Sequence, residues 1–115
     1  MKDALQEFVA ASFPLKGLAA WSVRLPDREV LSQSYAPWLP APKAEQALAR
    51  MVLAAEGFRQ HHLEVRHLCW IFEHLRLYLA RHEDGAYLAV IVKNALVIPV
   101  APAEEALERF RRLRG

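Results

Sequence analysis

Two five-residue runs, 68–72 (LCWIF) and 88–92 (LAVIV), are apolar at every position. A strand with one wet face alternates apolar and polar residues, so runs without alternation belong in a sheet covered on both faces. Between them, residues 75–82 also read as a strand. The dipeptide Asp84-Gly85, within Glu83-Asp84-Gly85, is the strongest short hairpin signal in the chain. The three strand-like stretches, 65–73, 75–82 and 86–93, lie too close together to hold crossover helices. Their pairing is therefore expected to be antiparallel.

The rest of the chain supplies the partners. Leu5, Phe8, Val9 and Phe13 recur at helical spacing over residues 3–13, and Pro14 stops the helix. Residues 18–25 and 29–34 read as two strands joined by Pro26-Asp27-Arg28. A loop over 35–42 holds Pro37, Pro40 and Pro42 and is short enough to be a stiff connector. From 43 to 60, Ala44, Ala47, Leu48, Met51, Val52, Ala55 and Phe58 mark one face of a long helix. Pro42 suits its first turn. Residues 96–100 read as extended, interrupted by Pro99, and have no definite place in the predicted order. The stretch 103–113 closes the chain as a helix with Leu107, Phe110 and Leu113 on one face, and Glu104 and Glu105 near its positive end. The predicted order is α-β-β-α-β-β-β-α: an α/β (α+β) fold with a five-stranded antiparallel sheet and helices on both faces.

Length and composition exclude several classes. A chain of 115 residues has room for one domain, 1–115, and its 54% hydrophobic content argues for a real core. Apolar runs of five residues are far short of the ~20 that a membrane helix needs. The polar residues following Met1 predict that no ordinary signal peptide is present. A net charge of +2, from 15 basic and 13 acidic residues, is too balanced to point to nucleic acid. The single Cys69 lies inside an apolar run, which predicts a buried thiol and a reducing, cytoplasmic setting.

Coverage of the sheet is the open problem. Five strands span roughly 24 Å at about 4.8 Å each, whereas one helix covers only about 10 Å. If the first and last helices share a face, the middle helix cannot cover the other. A second copy of the chain is the simplest cover, because most soluble oligomers are symmetric homo-oligomers. The middle helix carries a second row beside its core stripe: Ala49, Leu53 and Gly57, mostly small and four residues apart. That row is the expected dimer contact.

Residues 17–32 (GLAAWSVRLPDREVLS) and 77–92 (LYLARHEDGAYLAVIV), in this order of helices, resemble the roadblock (dynein light-chain) family. The resemblance extends over nearly the whole chain, although profilin-like and longin folds share parts of the topology. It implies a homodimer in which the third strand, with Trp70, and the middle helix meet their symmetry mates. It also implies a non-enzymatic regulator or scaffold for small Ras-like GTPases. The turn Glu73-His74-Leu75-Arg76 departs from the Gly- or Asp-rich turn usual in that family, and residues 96–102 form a longer entry into the last helix.

The chemistry-bearing residues favour no catalytic centre. His61, His62, Glu64 and His67 are close in sequence, but a helix end with favourable dipole charges explains them better than a metal site, and no cofactor is expected. His74 and His82 read as turn-flanking residues. Cys69, flanked by Leu68 and Trp70, is expected to be an inert core thiol, not a nucleophile. Neither a Gly-Xaa-Ser-Xaa-Gly elbow nor a P-loop occurs in the sequence. Arg109, Arg111, Arg112 and Arg114 form a basic cluster whose simplest role is a solvated helix end. Trp38, held among three prolines, is the candidate partner-binding residue. The reading from another class is a stand-alone module that binds a small ligand or acts as a sensor.

Overall fold

In the computed structural model, which describes residues 2–64 and 66–114, eight elements follow the predicted order. They are α1 (Lys2–Ser12), β1 (Leu18–Arg24), β2 (Val30–Ser34), α2 (Ala41–Gln60), β3 (His67–Ile71), β4 (Leu75–Arg81), β5 (Tyr87–Lys93) and α3 (Ala101–Arg111). The strands form one antiparallel sheet in the order β2-β1-β5-β4-β3. Strands from the two halves of the chain, β1 and β5, therefore meet in the middle, and their residues are buried almost throughout.

The two faces have different covers. Leu5 and Phe8 of α1 and Ala103, Ala106, Leu107 and Phe110 of α3 pack with Trp21, Val23, Tyr78, Leu88, Val90 and Val92. On the other face, Leu48, Met51, Val52 and Ala55 of α2 meet Leu79, Tyr87 and Ala89. Ala44 sits with Ala19, Ala20 and Ile91. Alanines on helix and sheet leave no bulk between them, so the helix approaches the strands closely. Of the predicted helix stripe, Ala47 is half-buried and Phe58 stays 43% exposed.

Local signals explain the element ends. Pro40 precedes α2, and Pro42 lies in its first turn, where a missing N–H costs nothing. At the other end, the Leu63 N–H bonds to the Phe58 carbonyl and the His62 N–H to the Arg59 carbonyl. His62 adopts φ 60°, which gives the left-handed cap that closes many helices. The β4–β5 connection runs from His82 to Ala86. Gly85 takes φ +100°, and Asp84 Oδ1 accepts the Ala86 N–H at 2.8 Å. His82, expected merely to flank this turn, is buried. Its Nε2 lies 2.6 Å from the Leu113 carbonyl oxygen, so it ties the hairpin to the end of α3.

One expectation about coverage fails. No residue of β3 is fully buried, and Cys69, expected in the core, is exposed. The reason is positional: β3 is an edge strand, and α3 lies over β4 and β5. Cys69 pairs across strands with Tyr78, so it points to the α1–α3 side but beyond the rim of that layer.

Candidate self-association and partner surface

An open groove of about 520 Å³ runs between α2 and the β3 edge. Its helix wall is Lys43, Gln46, Ala47, Arg50, Met51 and Ala54, and its strand wall is Trp70, Phe72 and Leu77. Leu68, Trp70 and Leu77 pack their inner sides onto the α2 core, while Phe72 is 54% exposed. The groove is mostly apolar, with Lys43, Gln46 and Arg50 supplying its polar groups.

The predicted row on α2 is adjacent to this groove. Leu53 is 73% exposed, Ala49 is exposed, and a Cβ added at Gly57 would meet nothing within 4 Å. The row and the groove are separate strips: Gln46, Arg50 and Ala54 line the groove, and Ala49, Leu53 and Gly57 lie one row further round the helix. Trp70 belongs to the groove. The sequence reading missed Met51, Ala54 and Phe72 as lining residues, although alternation along 68–72 places Leu68, Trp70 and Phe72 on one face.

Trp38 lies elsewhere. It sits in the turn between β2 and α2, where Ser34 Oγ donates to the carbonyls of Ala36 at 2.8 Å and Leu39 at 2.6 Å. The ring is 49% exposed and does not line the groove. Trp38 and Trp70 are thus not brought together.

The candidate reactive groups do not assemble into a catalytic arrangement among the described residues. Burial against neighbouring groups pushes the Cys69 thiol up, with the nearby Arg76 charge opposing. The residue itself is exposed, so it is accessible yet poorly ionised. His61 and His62 belong to the exposed cap of α2, whereas His67 Nε2 faces Glu104 at 4.0 Å. No group of three or more His, Cys, Asp or Glu converges among the described residues. Arg111 and Arg112 pair with Glu108 of their own helix, and Arg109 Nη2 donates to Ser12 Oγ at 3.4 Å.

No family model matches the sequence, and no curated protein matches it. Solved structures do match. The gliding protein MglB from Thermus thermophilus aligns with a TM-score of 0.68 at 17% identity, over 96% of this chain and 87% of that one. An MglB with a tetrameric arrangement aligns at 0.64 and 18% identity, with 96% and 87% covered. Myxococcus xanthus MglB aligns at 0.59 and 14% identity, with 83% and 81% covered. At such identities the likeness shows the fold, and the chain has the roadblock fold that it shares with MglB.

Proposed function

We propose that this chain is a non-catalytic, homodimeric scaffold or regulator of a small Ras-like GTPase, acting in the cytoplasm. The observation that carries this reading is the strip made by the β3 edge, the Trp70 groove and the exposed face of α2. It is apolar, solvent-open and continuous with the core. Such a strip fits a second chain better than a small ligand, which would be enclosed on most sides. The roadblock fold shared with MglB supplies the regulatory half of the reading, and the described residues hold no helix long and apolar enough to cross a membrane. A symmetry mate would cover the part of the sheet that α2 does not reach, at β3.

Two copies meeting edge to edge would pair their β3 strands antiparallel, with the α2 rows of Ala49, Leu53 and Gly57 against each other. β3 runs from His67 to Ile71, so a two-fold axis through its centre sets Cys69 opposite the partner's Cys69. Side chains opposed in that way have Cβ atoms about 4.5–5.5 Å apart, so a small inward shift of the two strands brings them to the roughly 3.8 Å of a disulfide. The test is light scattering at micromolar concentration, followed by mild oxidation. Twice the chain mass, with a crosslink absent from Cys69→Ser, supports the arrangement. A stable monomer overturns it. The non-catalytic half is overturned if the purified chain hydrolyses GTP or an ester and loses that activity on mutation of Cys69 or a histidine.

A further inference from the structure

β4 continues one residue beyond its pairing with β3: His67 sits opposite Ala80, and Arg81 has no residue of β3 beside it. A notch of about 300 Å³ lies at this corner of the sheet, lined by Arg59 of α2, Arg81 of β4 and Arg111 of α3, from three elements. Three guanidinium groups at one site repel one another, and that cost must be offset. Two offsets are visible. Arg59 pairs with Glu56 at 2.9 Å and Arg111 with Glu108 at 3.2 Å, each within its own helix. Arg81 has no carboxylate within ion-pair distance among the described residues; its guanidinium lies 5.9 Å from the centre of the Tyr87 ring, which it shares with Arg24 at 5.4 Å.

The donors are also unsatisfied. The Nε atoms of both Arg81 and Arg111 are buried and have no hydrogen-bond partner among the described residues. Buried N–H groups are nearly always paired, so these two donors mark incomplete hydrogen bonding in the side chains that border the notch. The planar arginine fork matches the oxygens of a tetrahedral oxyanion in a way that a lysine does not. Glu64 and Glu83 line the same notch and temper its charge.

We propose that this corner notch binds a phosphate group, with Arg81 as the principal ligand and Arg59 and Arg111 supporting it. The site is distinct from the α2–β3 groove and does not depend on the dimer. The probe is inorganic phosphate, added at constant ionic strength while thermal unfolding is followed, because a ligand of the native state raises its melting temperature. A saturable rise is expected at millimolar phosphate and not with sodium chloride or acetate. Arg81→Gln should weaken the apparent affinity roughly tenfold to a hundredfold. Glu83→Gln, which removes a repelling carboxylate from the rim, should strengthen it. If Arg81→Gln is poorly folded in the absence of phosphate, Arg111→Gln reads the same effect. A flat phosphate response, an equal response to acetate, or an affinity unchanged in a folded arginine variant overturns the proposal.

Discussion

Tyr87 shows how one buried polar side chain links the two layers. Its hydroxyl donates to Glu56 Oε1 at 2.7 Å, while Glu56 Oε2 accepts from Arg59. The Tyr87 bond, followed by the Arg59 bond and charge, holds the Glu56 carboxyl below its ordinary 4.5, against some desolvation. A carboxyl with a lowered folded-state value stabilises the fold above its unfolded value, and that stability is lost as pH falls through the folded value. Tyr87→Phe should therefore cost about 1 kcal/mol near neutral pH. The difference from the wild type should shrink as urea melts are taken to pH below about 4, where the unfolded carboxyl is protonated. Gly17 is constrained from two sides. Its φ is +79°, and an added Cβ would lie 2.7 Å from Ile98 Cδ1. Gly17→Ala should cost about 2–4 kcal/mol, from strain and overpacking together, as measured by thermal or urea unfolding.

Among the elements, α2 is the one with two duties. Its inner stripe follows from periodicity, and the outer row was readable for the same reason. Ala49, Leu53 and Gly57 are spaced so that one face holds all three. Gly57 lies in open space, so Gly57→Ala should stabilise the isolated helix by up to about 1 kcal/mol. If the rows pack as proposed, the same change should weaken self-association in a dilution series. The loop before α2 makes a separate prediction. Trp38 is half-exposed on a turn held by Ser34, so Trp38→Ala should leave the melting temperature within a few degrees of the wild type while reducing partner capture. A large fall in melting temperature would instead make Trp38 part of the core. For β3 the apolar run identified a strand, but its burial on both faces did not follow. An edge strand obtains its second cover from whatever lies past the rim, and α3 stops over β4.

At the scale of the whole molecule, helices over both faces still leave the β3 edge and the groove beside it open. Leu53→Arg would place a charge in the proposed contact and should shift the assembly towards monomer in light scattering without lowering monomer stability, since Leu53 is 73% exposed. A dimer unaffected by that change puts the contact elsewhere. Element types, their order and the antiparallel pairing were all legible in the chain, because periodicity, proline position and the Asp84-Gly85 turn act over a few residues. Local signals also placed the outer row of α2. Three features were settled only by the tertiary structure: that β5 and β1 meet at the centre of the sheet, that Cys69 lies outside the core, and that Arg59, Arg81 and Arg111 share one corner. Each depends on how far a helix reaches across the sheet and where an edge strand begins. Those lengths arise from packing between residues distant in sequence, on which local periodicity carries no information.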